Sequence, residues 1–332
     1  MERCIYCWNI LDYKNKSKEH IVPWAIGGSN SFVTNYCCKN CNNNLGSTVD
    51  AKFSNCLPIA IERQQLKIPG HSGNIPSIIF ELKSENNGNI GKITIDSNGN
   101  IDISQDVTVV DEKHENYERR LIGGDPEKVK KILEGMIKSA QKKNKTIYDE
   151  NRDVVESWED IIKTAKIEET DTFSGNIVAL DFQAWNRGMF KIALGLGHSV
   201  LGDIWTFSSE ADRLRTVISL PRENWPTFMG INPPIPVEID QFFGIDSMVK
   251  KNKEHTLVVL PNDKPMALIS LFGGFVPKFA ISLGDSLGTL GVIEKIDPSK
   301  TLGFRINPTS RTVTKITALD LCRFRCLHLK SV

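Results

Sequence analysis

Residues 4–7 read Cys4-Ile5-Tyr6-Cys7, and residues 38–42 read Cys38-Lys39-Asn40-Cys41-Asn42. Between them stand Glu19-His20-Ile21-Val22-Pro23, then Gly27-Gly28 and Asn35. A C-x-x-C pair makes a tight knuckle with both thiolates on one side, so two pairs can close a tetrahedral zinc site. Cys37 adjoins Cys38, but only Cys38 has the two-residue spacing to Cys41. The gap from Trp8 to Cys37 is longer than a minimal ribbon needs, which leaves room for chemistry between the pairs.

The chain outside this stretch sets limits. It has 332 residues, 40% of them hydrophobic and 24% charged, the composition of a globular protein with a sizeable core. A net charge of +1 excludes a globally basic nucleic-acid binder, so any phosphate binding must be local. Lys14, Lys16, Lys18, Lys39 and Lys52 are candidates for it. No apolar run is long enough for a membrane span, and MERCIYCWNI has no signal-peptide core; a cytoplasmic protein is expected. In a reducing compartment, eight cysteines favour metal ligation over disulfides. Cys37, Cys56, Cys322 and Cys326 are then expected as reduced thiols. Cys322 and Cys326 with His328 offer too few ligands for a second metal site. His71, His114, His198 and His255 have no neighbours in sequence that give them a role.

Along the chain, Trp8 to Leu11 reads as a strand start, 14–18 as a basic turn, and His20 to Val22 as a strand ended by Pro23. From Asn42 a helix is expected, with Leu45, Val49 and Phe53 on one face and an interruption near Pro58. Ile78–Leu82 and Gly91–Asp96 look like strands. Asn98-Gly99 between Ile95 and Ile101 predicts a hairpin. Asp125-Pro126 starts a helical stretch running to about 168. A helix is predicted over 181–201, with Phe182, Trp185, Met189, Ile192, Leu196 and Val200 on its core face; Gly195 and Gly197 suit close packing. Residues 221–236 are a Pro-rich connection, and 256–283 a β-meander.

The set Cys4, Cys7, Glu19-His20-Ile21-Val22-Pro23, Gly27-Gly28, Asn35, Cys38 and Cys41-Asn42 resembles the HNH endonucleases, in the four-cysteine zinc branch of the ββα-metal fold. That resemblance implies a structural zinc on Cys4, Cys7, Cys38 and Cys41. It implies His20 as general base, Glu19 and Asn42 as ligands of a catalytic Mg²⁺ or Mn²⁺, and Asn35 as a loop brace. Asn43 and Asn44 compete with Asn42, which follows the zinc cysteine directly. The chemistry is consistent: a neutral imidazole takes a proton from water, and oxygen donors suit a hard cation.

The expected fold class is α+β. An N-terminal zinc-stabilised ββα-metal module, residues 1–66, precedes a mixed region, 67–332. Within the latter, 67–124 and 223–332 are read as β-rich and 125–222 as mainly helical. The expected function is phosphodiester hydrolysis in nucleic acid, with DNA as substrate and a restriction or phage-defence role by analogy. A homodimer, and recognition of a ligand or modified base by the C-terminal region, are compatible with it. The alternative is a non-catalytic zinc-stabilised module that binds nucleic acid or protein.

Overall fold

The computed structural model describes residues 2–84, 90–105, 108–113, 118–123, 126–149, 151–160, 173–174, 181–220, 252–260, 265–276, 278–284 and 297–321. The Pro-rich stretch, Asp125, His114, and Cys322 with Cys326 and His328 lie outside them. The chain forms two compact units, residues 1–76 with 178–332, and residues 77–177. The boundary expected at residue 66 therefore separates neighbours in sequence, while in space the first 76 residues group with the C-terminal portion.

The first unit begins with the cysteine knuckle. The chain folds back there through Trp8, whose φ of 65° lets Trp8 N–H reach Cys4 O. Trp8–Leu11 is not a strand; only an Arg3–Ile10 bridge forms. The turn sits earlier than expected, where Asp12 Oδ1 accepts from the backbone of Lys14 and Asn15. The first strand, β1, is Lys16–His20, pairing antiparallel with β2, Val33–Cys38. Its polar sequence hid it, because the ladder to β2 and a single inward side chain define it rather than apolar alternation.

Helix α1, Lys39–Leu45, continues through a π-helical turn, Gly46–Asp50, into α2, Ala51–Ser54. Leu45, Val49 and Phe53 are buried along this run, as the periodicity predicts. The break comes at Asn55–Cys56, and α3, Leu57–Gln65, restarts with Pro58 in its first turn, where no amide donor is needed.

Helix α5, Phe182–Leu201, is capped by Asp181, which accepts from Ala184 N–H at 3.0 Å. Three of its glycines admit close neighbours. A Cβ on Gly188 would run into the Phe53 ring, one on Gly195 into Ile21, and one on Gly197 into the Trp205 ring. Short α6, Asp203–Thr206, and α7, Ser209–Ser219, follow. The meander β9, His255–Leu260, β10, Met266–Ser270, and β11, Phe279–Ser282, is joined by β12, Thr301–Ile306, and β13, Val313–Thr317. Their order is β11-β10-β9-β12-β13. One apolar core joins Ile21, Val22, Phe32, Val49 and Phe53 to α5 and this sheet.

The second unit holds β3, Ile78–Ser84, β4, Ile90–Ile95, β5, Ile101–Gln105, and the two-residue β8, Phe173–Ser174, in the order β5-β4-β3-β8. The hairpin at Asn98-Gly99 forms, with Gly99 at φ 82° and Ile95 opposite Ile101. A second hairpin, β6, Thr108–Lys113, with β7, Glu118–Gly123, completes the strands. Helix α4, Pro126–Lys142, forms the first part of the helical stretch expected over 125–168, of which 161–168 lie outside the described residues. Asn144 adopts φ 51°, and Lys145 N–H returns to Ala140 O, a left-handed C-terminal cap.

His255 ties the sheet to the loop that follows β1. Its Nε2 donates to Ile26 O at 2.8 Å and its Nδ1 accepts from Phe272 N–H at 3.1 Å. Complete burial pushes the imidazole down to about 4. The folded ring is neutral, so its contribution is complete above about pH 6.5 and is lost as pH falls toward 4. Between pH 7 and 4.5 that is about 2–3 kcal/mol. Urea unfolding at the two pH values should show that extra loss in the native sequence and not in His255→Gln.

Candidate active site

The sulfurs of Cys4, Cys7, Cys38 and Cys41 all lie within 4.8 Å of one another. Cys38 N–H donates to Cys4 Sγ and Cys41 N–H to Cys38 Sγ, both at 3.4 Å. The second bond also caps α1. Hydrogen bonds from Cys37 and Cys41 pull the Cys4 thiol far below its ordinary value, while burial pushes Cys7 up to about 11. Four packed thiols cannot ionise together without a cation, and a tetrahedral soft-ligand set fits zinc. Cys37 is not one of the four, although its thiol lies against Cys4 and within reach of Cys38 O. Arg215 on α7 braces the first knuckle from behind, reaching Ile5 O and lying 5.3 Å from the Trp8 ring centroid.

Beyond the clamp, β1 carries the two adjacent residues Glu19 and His20. The ladder shifts register between Ser17 and Glu19, with an extra β2 residue opposite. Such a bulge bends a strand and re-aims its side chains. Glu19 points into the core and is buried, whereas His20 is half-buried on the other face. His20 Nε2 pairs with Asn30 Oδ1 at 3.0 Å. A carbonyl oxygen there makes Nε2 the protonated nitrogen and leaves the Nδ1 lone pair free. Burial holds the ring below its ordinary value, with the Asn30 bond opposing, so it is neutral near pH 7.

Asn35 lies exposed on β2. The asparagine against the imidazole is Asn30, two residues past the Gly27-Gly28 pair. Asn42 is half-buried and donates through Nδ2 to Ser17 Oγ at 2.6 Å and Lys18 O at 2.7 Å. Both its donors are used against β1, which leaves Oδ1 as its available acceptor. Asn43 and Asn44 are exposed. Lys14, Lys18, Lys39 and Lys52 are also exposed, and Lys16 pairs with Glu2.

Glu19 meets two residues that its neighbours in sequence did not suggest. Its carboxylate pairs with Lys191 of α5, and the same ammonium bonds Asp50 Oδ1 and Oδ2 at 2.7 and 2.6 Å. Burial raises Glu19 from its ordinary value, with the Lys191 charge opposing. Lys191 stays above its ordinary value although burial works against it, because Asp50 and Glu19 hold the charge. The one sequence signal for Lys191 was a lone charge inside the apolar run 188–197. Buried Glu19 and partly buried Asp50 share the Lys191 ammonium, and Asn42 of α1 bonds Ser17 and Lys18 just before Glu19 on β1; carboxylate and amide oxygens are the donor types that a hard divalent ion takes.

The loop after His20 is held from the C-terminal sheet. Arg311, in the β12–β13 turn at φ 57°, donates to Trp24 O at 2.9 Å and Gly28 O at 2.7 Å. Its guanidinium lies 3.5 Å from the Trp24 ring centroid. The Trp24 ring also contacts His20, at 5.4 Å between centroids, and stacks on His71 at 6.2 Å. Gly27 takes φ 94° against Pro308, and a Cβ on Gly28 would strike Val22 O. This explains the paired glycines.

A four-cysteine cluster able to hold zinc, a bulged ββ hairpin and a helix carrying an asparagine make up a ββα module. Residues 4–58 match the family model described as HNH endonuclease. This N-terminal segment is similar to HNH endonuclease domains, which points to a nuclease. No curated protein and no solved structure matches the chain. Among the described residues, no helix is long and apolar enough to cross a membrane.

Proposed function

We propose that this protein is a metal-dependent endonuclease that hydrolyses phosphodiester bonds in DNA. The observation that carries the reading is His20, held through Nε2 by Asn30 with Nδ1 free, on the strand face opposite Glu19. His20 Nδ1 takes the proton from the attacking water, and burial keeps the ring in the neutral form that this step needs. Glu19 and Asn42 Oδ1 hold Mg²⁺ or Mn²⁺, which when bound polarises the phosphate and stabilises the departing oxygen. The four thiolates hold zinc and take no part in the chemistry. The exposed lysines of the hairpin and helix contact flanking phosphates.

The proposed setting is the cytoplasm, in restriction or phage defence, where a nuclease module joined to a recognition region is a fitting architecture. Residues 67–332 then recognise the target, a modified base or a ligand. A homodimer would combine two modest phosphate-binding patches. Supercoiled plasmid, linear duplex and RNA incubated with Mg²⁺ or Mn²⁺ test the reading: DNA cleavage that chelation stops is expected. The engagement of Glu19 by Lys191 favours a second reading, a non-catalytic binding module. Duplex binding without cutting in either metal, indistinguishable from His20→Ala, would establish it.

A further inference from the structure

Lys191 has no part in the chemistry above, yet it is the most deeply placed charge near the site. Its side chain is 0% exposed, against 5% for Glu19 and 18% for Asp50. It lies outside the matched residues 4–58 and reaches them across 141 positions of sequence to Asp50. Its placement is built into the packing. Gly188 and Gly195 lie about one turn to either side on the same helix face, seated against Phe53 and Ile21. Those two residues flank Asp50 and Glu19 in the chain. An ammonium buried so completely is tolerated only because two carboxylates satisfy it.

The charges of this cluster have a consequence for anything that binds beside it. Glu19, Asp50 and the Lys191 ammonium together carry one net negative charge. A divalent cation on Glu19 would leave one net positive charge in a poorly solvated place, which is costly. A phosphodiester, with its single negative charge, restores neutrality. Without the ammonium, the two carboxylates alone would neutralise the cation, and the phosphate would add nothing to the balance. We propose that Lys191 is a positioning residue that makes catalytic-metal binding conditional on the phosphodiester, so that cation and nucleic acid bind cooperatively. The inference rests on the nuclease reading and adds the order of assembly to it. Linkage makes the effect reciprocal: the metal tightens nucleic acid by the same factor. Lys191 also fixes the carboxylate, gripping Glu19 through Oε1.

Calorimetric titration of Mn²⁺ into zinc-loaded full-length His20→Ala protein, with and without a short duplex, tests this apart from turnover. The duplex is expected to tighten Mn²⁺ about tenfold or more. In the same background, Lys191→Met should bind Mn²⁺ about tenfold more tightly without DNA, and the duplex should then add less than about threefold. Equal affinity and equal coupling in both proteins would overturn the role of Lys191. Should Lys191→Met fail to fold, Asp50→Asn removes one charge with little change of shape. It is expected to weaken Mn²⁺ about tenfold, and unchanged affinity would overturn the proposal. Mn²⁺ binding and native cleavage with unaltered coupling would sink only this inference. No Mn²⁺ binding together with no cleavage by the native chain would sink the nuclease reading with it.

Discussion

Replacement of His20 by alanine is expected to slow plasmid cleavage about 10²–10⁴-fold, the usual contribution of a positioned general base. The fold should survive, because the imidazole is only half-buried and its one side-chain bond goes to exposed Asn30. Asn30→Ala should give a smaller loss, about 10–100-fold, by releasing the ring from the tautomer that keeps Nδ1 free. Asn35→Ala should change the rate by less than about threefold, since its side chain is exposed on β2 and the ring pairs with Asn30 instead. Single-turnover rates at saturating metal separate the three variants. Equal losses for Asn30→Ala and Asn35→Ala would overturn the assignment of Asn30.

Loss of the thiolate clamp is the second large effect. Structural zinc sites bind with apparent free energies of about 10 kcal/mol or more, comparable to the whole stability of a domain. Chelation, or Cys41→Ser, removes that linkage, and even ~4 kcal/mol of it would lower the melting midpoint by about 10 °C. The damage should be uneven. Ile21, Val22, Val49 and Phe53 belong to the core shared with α5 and the sheet, while residues 2–15 depend on the knuckle and on Arg215. Hydrogen exchange should therefore open 2–15 and 36–46 first, with α5 still protected. A metal measurement should find one zinc per native chain. A zinc-free variant with unchanged exchange in 2–15 would refute the structural role of the metal.

The module was legible because its chemistry is local. C-x-x-C spacing, a Glu-His pair and a cysteine followed by asparagine state their purpose within fifty residues. The hairpin at Asn98-Gly99 and the long helix over 182–201 were legible for the same reason, since turn chemistry and periodicity act over a few residues. What escaped was whatever the register or the tertiary fold decides. β1 begins at Lys16 because β2 pairs with it, and no apolar alternation marks Lys16-Ser17-Lys18. Asn30 and Asn35 are equivalent in type, and only the path of the glycine loop chooses between them. The partnership of Lys191 with Glu19 and Asp50 depends on two helix glycines, Gly188 and Gly195, that bring α5 close. The apolar face of the N-terminal module is completed by residues far downstream.

The clasp of Arg311 on Trp24 O and Gly28 O has a practical corollary. A fragment cut after residue 58 would carry every residue of the matched segment and lose the latch that shapes the chain just after His20. Transplanting the motif alone into another scaffold would move the reagents without the vice that aligns them. Conversely, whatever tugs on the β12–β13 turn has a short mechanical route to the imidazole, two hydrogen bonds and one peptide segment long.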